Sequence, residues 1–429
     1  MILLLAGVVG WRVGDVSWDP TGADNNSLVA AGAVTGMEPD LSTLEEYLDD
    51  TDVDGYLIDA DSENSDQYYL SGFDAPDPFV TLYDGEVRLL FLRSLEYGRA
   101  KKEASAATVQ RGSEFELEGK IEEFGRREAR YRVLAEFLES HGVSSVAAPP
   151  RFPLRTADGL RELGVEVVAD EEGAITEIRA TKTDEEIDNI RDAQHANEAA
   201  MARAEELIDA ATADDDGALH YDGEVLTSER VKEEIEVTLL RHGCALDETI
   251  VACGADAADP HDRGSGPLEA GEPIIVDIFP RNKRTKYHSD MTRTFCHGSP
   301  SETLREWYDL TAEAKAAALD AVEPGASGAE VHDAACDVYE DADLPTLRSE
   351  PTTETGFIHS TGHGVGLDVH ELPGVAPGAD DLEPGHVVTI EPGLYDPDVG
   401  GVRIEDIVVV TEDGYENLTD YEERLILGE

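Results

Sequence analysis

Basic residues are scarce in this chain of 429 residues, which contains 33 Lys and Arg against 94 Asp and Glu. The formal net charge is therefore −61 at pH 7. Proteins that bind nucleic acids use basic patches to contact phosphates, so this balance argues against a nucleic-acid partner. The acidic residues are spread over nearly every segment and are not confined to one tail, as expected of a charged surface.

Cysteine is also rare, and an apolar run long enough for a membrane span is missing. The four cysteines (Cys244, Cys253, Cys296 and Cys336) show no CxxC spacing and no disulfide framework. We expect them to be reduced, mostly buried thiols in a cytoplasmic protein. The apolar start, MILLLAGVVG, is too short to span a bilayer and lacks the basic region of a signal peptide. The composition therefore predicts no membrane association.

Aromatic residues make up only 6% of the chain, but recurrent apolar patterns exclude a disordered protein. We expect residues 1–36 to be a disordered extension or the product of a misassigned start. Residues 37–173 alternate strand-like and helix-like segments, which predicts an α/β domain. Residues 174–429 begin with helices and continue with several strands, which predicts an α+β domain.

Local patterns predict the main elements of both domains. The apolar runs predict strands at 54–60, 79–92, 386–395 and 401–411. An Asp-Gly pair at 84–85 predicts a hairpin turn. Residues 119–142 predict one helix, and Thr183 with Glu186 predicts a capping box at the start of another. Residues 214–225 predict a loop.

Four carboxylates differ from the acidic background because they lie within apolar strands or at their ends: Asp277, Asp290, Glu391 and Glu405. Burying them is costly, since each like-charge pair 4 Å apart costs about 4 kcal/mol at an effective dielectric of about 20. Cations remove that cost, and carboxylates combined with a histidine suit first-row dications such as Mn²⁺ or Co²⁺. A turn or salt bridge at a strand end explains any one of the four, but not the whole set.

Three histidines, His359, His363 and His370, lie within the segment HSTGHGVGLDVHE at 359–371. A single histidine in a glycine-rich loop is an ordinary polar turn residue. Three of them, separated by β-branched and apolar residues, indicate a site whose other half the strand carboxylates supply.

These motifs resemble those of the pita-bread metallopeptidases, the M24 family of methionine aminopeptidase, aminopeptidase P and prolidase. The resemblance is carried by HSTGHGVGLDVHE, TIEPGLY, GVRIEDIVVVT and the earlier VDIF and HSDMTRTF, and it covers residues 175–429. More weakly, DADSENSDQYYLSGF makes residues 37–173 similar to the creatinase-type N-terminal domain of the prolidase branch. The implied fold is an α/β creatinase-type N-terminal domain followed by an α+β pita-bread catalytic domain.

The resemblance also implies a site for two divalent metal ions, with Mn²⁺ in first place and Co²⁺ or Zn²⁺ as alternatives. The implied metal ligands are Asp277, Asp290, His363, Glu391 and Glu405. Glu391 would in addition act as the general acid–base, and His261 and His370 would contact the substrate. His359 and Arg403 would support the site.

The implied activity is hydrolysis of the bond between an N-terminal residue and proline in short Xaa-Pro peptides, by a water that the metal ions activate. In many microbial Xaa-Pro dipeptidases an arginine follows the His-Glu segment. Here Gly374 stands at that place, and neither Lys nor Arg occurs before Glu391, which favours an Xaa-Pro aminopeptidase over the alternative dipeptidase. An intact ligand set disfavours a non-catalytic binding protein on the same fold. The family further implies a homodimer.

We predict that the protein is most stable in concentrated salt, as an intracellular protein of a salt-loving organism would be. A net charge of −61 destabilises the compact state through self-repulsion, and about 1 M salt shortens the Debye length to about 3 Å. The melting temperature should rise from low to multimolar KCl in scanning calorimetry. A maximum at low salt would indicate an ordinary acidic enzyme instead.

Overall fold

The computed structural model describes residues 39–92 and 95–428. The prediction about residues 1–36 therefore lies outside the described residues. In the described part of the chain, no helix combines the length and the apolar character needed to cross a membrane.

A six-stranded mixed sheet forms the N-terminal part, with the strand order β4-β3-β2-β1-β5-β6. Its strands are β1 (Tyr56–Ala60), β2 (Phe79–Tyr83), β3 (Arg88–Leu92), β4 (Thr108–Arg111), β5 (Ser145–Ala148) and β6 (Glu166–Ala169). The helices of this part are α1 (Ser42–Thr51), α2 (Ser65–Ser71), α3 (Tyr97–Glu103), α4 (Leu117–Ser140), α5 (Leu154–Glu162) and α6 (Ala174–Ala180). The hairpin predicted at 84–85 joins β2 to β3 and pairs Val80 with Phe91.

The helix predicted at 119–142 is not continuous. Gly125 interrupts α4 with φ 80° and ψ 159°, a conformation that a residue with a Cβ adopts only under strain. The periodic pattern continues on both sides of this glycine, which is why the sequence predicts one helix. The predicted end is correct, because Gly142 follows the helix with φ 76°.

Two sheets, of four and five strands, form the centre of the C-terminal part. Its helices are α7 (Asp184–Asp209), α8 (Ser228–Arg241), α9 (Glu302–Ala321) and α10 (Gly328–Asp341). Its strands up to the third helix are β7 (Thr212–Ala213), β8 (Leu219–Tyr221), β9 (Glu224–Val225), β10 (Cys244–Ala245), β11 (Thr249–Cys253), β12 (Ile274–Ile278), β13 (Arg281–Asn282) and β14 (Met291–His297). The later strands are β15 (Gly362–Gly364), β16 (Glu371–Val375), β17 (Val387–Ile390), β18 (Gly393–Asp396), β19 (Gly400–Arg403), β20 (Asp406–Thr411), β21 (Gly414–Asn417) and β22 (Ile426–Leu427).

Each of the two sheets is covered by a pair of helices. The sheet β11-β12-β14-β22 packs against α7 and α8, with Leu207 and Ile235 in the same core as Val276. The sheet β16-β15-β17-β20-β21 packs against α9 and α10, with Ala314 in the same core as Val408. α7 begins with the predicted capping box, in which Thr183 and Glu186 each satisfy the other's backbone N–H.

The loop predicted at 214–225 is only partly correct, because residues 219–221 and 224–225 belong to the small antiparallel sheet β7-β8-β9. Asp222 and Gly223 connect β8 to β9 with φ of 54° and 79°, which suits a two-residue hairpin turn. The acidic composition of the segment hid this Asp-Gly turn.

The continuous strands predicted at 386–395 and 401–411 are each divided between two sheets. β17 belongs to the five-stranded sheet, whereas β18 forms a two-stranded ladder with β19. The chain returns to the five-stranded sheet with β20. Pro392, which has no N–H to donate to a ladder, lies at the first break.

A buried ion cluster ties the N-terminal part to the C-terminal part. Arg179, at the end of α6, pairs with Asp66 of α2 at 2.7 Å and with Asp368 at 2.7 Å, and it also contacts Glu371. Lys182 binds the other oxygen of Glu371 at 2.7 Å. The Arg179 side chain is only 6% exposed, so this pairing is largely shielded from water.

Replacing Arg179 with Met should lower the free energy of unfolding by about 3 kcal/mol, because removing one partner leaves buried charge uncompensated. Urea denaturation in concentrated KCl measures the loss. Arg161→Met is the matched control, since the ion pair of Arg161 with Asp158 is half exposed and should contribute less than about 1 kcal/mol. Equal effects of the two changes would show that the cluster contributes no more than a surface pair.

Candidate metal centre

The five predicted metal ligands line one cleft of about 830 Å³. Asp277 lies in β12, Asp290 directly precedes β14, and His363 lies in β15. Glu391 lies where the chain leaves the five-stranded sheet after β17, and Glu405 lies where it returns before β20. The two strand breaks that the sequence did not predict thus carry two of the five side chains.

The ligand atoms of this group are close together. His363 Nε2 lies 3.3 Å from Glu391 Oε1 and 3.8 Å from Asp290 Oδ2. Asp290, His363 and Glu405 each offer one potential ligand atom, and these atoms lie within 4.8 Å of one another. Such a group of one imidazole and several carboxylates fits a first-row divalent cation.

Three carboxylate oxygens in the cleft have no hydrogen-bond partner among the described residues: Asp277 Oδ1, Asp290 Oδ1 and Glu405 Oε1. All three are buried, and a buried oxygen without a partner costs free energy that a bound cation would recover. The other oxygens of two of these carboxylates are occupied. Asp277 Oδ2 accepts a hydrogen bond from Arg403 at 2.7 Å, and Glu405 Oε2 accepts one from the Thr292 hydroxyl at 2.8 Å.

The acid–base balance of the cleft shows the same deficit of positive charge. Burial, followed by the charges of neighbouring carboxylates, raises the pKa values of Asp290 and Glu405 well above their usual range. Burial also raises the pKa of Asp277, although Arg403 opposes the rise. Burial opposes ionisation of Glu391, but the hydrogen bond and charge of His363 lower its pKa to about 2.

The remaining predicted histidines line the same cleft. The rings of His363 and His370 have their centroids 4.2 Å apart, and burial together with His363 lowers the pKa of His370. Burial, with a contribution from Arg403, lowers the pKa of His359 to about 4. Both imidazoles are therefore neutral at pH 7. His261 is exposed at the wall of the cleft.

A buried hydrogen-bond network connects the supporting residues, and the sequence reasoning missed part of it. Arg403 donates to the Tyr395 hydroxyl at 2.8 Å and to Thr292 Oγ1 at 3.2 Å, besides its bond to Asp277. His359 Nε2 lies 3.0 Å from the same Tyr395 hydroxyl. The sequence offered one signal for the role of Thr292. This residue follows Asp290 by two positions, so the two side chains lie on the same side of an extended chain.

Two family descriptions match the chain. Residues 188–412 match Metallopeptidase family M24, and residues 41–181 match the Creatinase/Prolidase N-terminal domain. The Xaa-Pro dipeptidase of Pyrococcus furiosus is 30% identical over 401 residues, which cover 91% of this chain and 100% of that protein.

Solved structures of similar proteins have the same architecture. The prolidase from Pyrococcus horikoshii OT3 has a TM-score of 0.73 and 29% identity, over 90% of this chain and 99% of its own. The X-Pro aminopeptidase from Thermotoga maritima has a TM-score of 0.72 and 25% identity, over 90% of this chain and 100% of its own.

These matches confirm the predicted creatinase-type N-terminal domain, the pita-bread catalytic domain and the metallopeptidase activity. The domain boundary at 173–174 stays a prediction. The chain belongs to metallopeptidase family M24.

Proposed function

We propose that this chain hydrolyses the peptide bond between an N-terminal residue and proline. The observation that carries the proposal is the cleft in which buried carboxylates and histidines meet and three carboxylate oxygens lack a partner among the described residues. Relatives that match over most of the chain support the substrate class, since they include an Xaa-Pro dipeptidase and an X-Pro aminopeptidase.

The proposed cofactor is a pair of divalent cations, with Mn²⁺ as the first candidate and Co²⁺ or Zn²⁺ as alternatives. Asp277, Asp290, His363, Glu391 and Glu405 would hold them. The four carboxylates among these residues carry a formal charge that two dications balance. When bound, the cations would supply a water of lowered pKa and polarise the peptide carbonyl.

The side chains around the cleft have matching roles in this proposal. Glu391 is ionised at neutral pH, so it can accept a proton from water and pass it to the leaving nitrogen. His370 is neutral, and its ring N–H can donate to the carbonyl oxygen, with His261 as a second substrate contact. Arg403 and His359 hold the site through Asp277 and Tyr395.

The choice between aminopeptidase and dipeptidase depends on whether the cleft offers a cation to the free carboxylate of a dipeptide substrate. Gly374 pairs with His363 across β15 and β16, and it lines a second cleft together with Lys182 and Asp381. Position 374 therefore brings no cation to the metal cleft, which supports an aminopeptidase acting on longer peptides. The name of the Pyrococcus furiosus relative supports the dipeptidase.

We further propose that the protein works in concentrated salt, in the cytoplasm and as a homodimer. The distribution of charge on α1 supports the first point. This helix buries Leu44 and Leu48, while its four acidic residues (Glu45, Glu46, Asp49 and Asp50) are exposed. Such crowded surface carboxylates repel one another unless salt screens them.

Hydrolysis of Ala-Pro and of Ala-Pro-Ala-Ala, in multimolar KCl with added Mn²⁺, tests the activity. We expect metal-dependent release of N-terminal alanine, and no release in EDTA. Asp290→Ala should abolish turnover, since it removes a central ligand. Wild-type turnover by this variant, or metal-independent cleavage, would contradict the proposal, and cleavage of the tetrapeptide alone would identify an aminopeptidase.

The charge deficit of the cleft gives a separate prediction for stability. A carboxyl group whose pKa is raised by folding destabilises the folded protein once it ionises. Its effect on the free energy of unfolding therefore becomes unfavourable as the pH rises through that pKa. Asp290→Asn should therefore raise the melting temperature of EDTA-treated protein at pH 8 by a few degrees, with a smaller gain at pH 5. The variant should also lose the stabilisation of several degrees that Mn²⁺ gives the wild type.

Asp406→Asn is the matched control, because this neighbour of Glu405 is buried against Arg293 at 2.8 Å and Lys315 at 2.6 Å. Its pKa is lowered, since these cations outweigh the effect of burial. Removing its charge should destabilise the protein by about 3 kcal/mol, in the opposite direction to Asp290→Asn. Destabilisation by both changes would contradict the assignment of uncompensated charge to the cleft.

A further inference from the structure

A second charged cleft lies in the N-terminal part, and its charge is opposite to that of the chain as a whole. It has a volume of about 460 Å³, and its charged lining residues are Arg126, Arg127 and Arg130 of α4, Arg155 of α5 and Asp59 of β1. Four arginines and one aspartate give a formal charge of +3, whereas the chain carries −61. The residues of this arginine cleft are all different from those that line the metal cleft.

Asp59 compensates only one of the four arginines. Its side chain is 2% exposed, and its two oxygens lie 2.5 and 2.7 Å from Arg130 Nη2. It also accepts a hydrogen bond from the Thr156 hydroxyl at 2.9 Å. The other three arginines are exposed, and their guanidinium groups make no ion pair or hydrogen bond with the described residues.

The sequence next to these arginines does not compensate their charge either. Residues 126–132 read RREARYR, and the single acidic residue of this run, Glu128, pairs with Arg132 at 2.9 Å. Arg126 and Arg127 begin the part of α4 that follows its kink, where the helix dipole disfavours positive charge. A role in helix stability therefore does not explain their position.

An apolar cleft of about 450 Å³ adjoins the arginine cleft and shares Pro78, Arg126 and Arg130 with it. Apolar side chains from β2, β3 and both parts of α4 form its walls, among them Phe79, Phe91, Ile121 and Val133. The kink at Gly125 lies directly before Arg126, which lines both clefts. The two clefts together therefore offer an apolar pocket beside a group of unpaired guanidinium groups.

The helices that carry the arginines are packed closely. A Cβ at Gly159 of α5 would lie 2.3 Å from the ring of Tyr131 of α4, so the close approach of the two helices requires glycine. Thr156, which follows Arg155, is buried and bonded to Asp59. The arginine side chains thus extend from backbone positions that packing holds fixed.

We propose that these adjoining clefts form a binding site for a small phosphate monoester with an apolar or aromatic body. A phosphate monoester carries a charge of about −2 and three terminal oxygens, which suits three unpaired guanidinium groups better than one carboxylate does. Concentrated salt screens these exposed charges, so burial of the apolar body supplies much of the affinity and the arginines select the head group. The site does not depend on the proposed peptidase activity.

The probe for this site is hexyl phosphate, measured by isothermal titration calorimetry of the full chain in multimolar KCl. EDTA is present so that metal ions in the other cleft cannot bind phosphate. We expect one site per chain, with hexanol and inorganic phosphate each binding at least about ten-fold more weakly, because each lacks one half of the ligand. Absence of hexyl phosphate binding, or equal binding of either partial ligand, would overturn the proposal.

Substitutions locate the site. Arg126→Gln, Arg127→Gln and Arg155→Gln should each weaken hexyl phosphate binding by about ten-fold, the range of one charge-assisted hydrogen bond. Their melting temperatures without ligand should equal that of the wild type, since these side chains are exposed and unpaired. Ile121→Trp narrows the apolar cleft, so it should weaken binding of hexyl phosphate but not of inorganic phosphate.

Arg241→Gln is the control, because it removes an exposed arginine at the end of α8 and should leave hexyl phosphate binding unchanged. Equal effects of this control and of the cleft variants would show that the ligand responds only to net charge, against the proposal. Two other sources of negative charge give different results. Binding to vesicles of phosphatidic acid without binding of hexyl phosphate would assign the arginines to a lipid surface. Altered sedimentation of the variants without binding of hexyl phosphate would assign them to contact with the acidic surface of another copy.

Discussion

Four carboxylates in one buried cleft are the constraint on which the catalytic part of this structure depends. Within the described ranges, Asp277 alone among them is paired with a buried arginine, and Glu391 is paired with His363. Asp290 and Glu405 have oxygens without a partner among the described residues, and their raised pKa values express the same deficit. The side chains of the described residues therefore do not balance the negative charge of this cluster. Divalent cations would balance it, because each brings two positive charges into a small volume.

The architecture around the cleft brings these carboxylates together from β12 and from positions directly beside β14, β17 and β20. The backbone bond from Glu405 N to Thr292 O, at 3.1 Å, joins the two large sheets beside the cluster. Glu391 and Glu405 occupy the points at which the chain leaves and re-enters the five-stranded sheet, where the ladder no longer fixes the side-chain direction. The N-terminal part contributes as well, because Arg179 and Lys182 bind Glu371, the residue directly after His370.

The sequence singles out five candidate ligands that the structure brings to one cleft, because carboxylates that interrupt apolar strands, and histidines among glycines, are chemically unusual in any protein. It predicts element positions such as the β2–β3 hairpin and the capping box of α7 because those signals are local. It does not predict the strand breaks at Glu391 and Glu405, since both apolar patterns run on through them. The kink at Gly125 and the role of Tyr395 are missed for a related reason: each is set by tertiary contacts or backbone angles that leave the residue pattern unchanged.

The placement of the buried basic residues follows from the same electrostatics. Salt screens charges at the surface, so exposed carboxylates need no partner in concentrated salt, whereas buried ones are screened little and need one within the fold. Arg293, Arg403 and Lys315 are each at most 3% exposed and are bonded to buried carboxylates, as this reasoning requires.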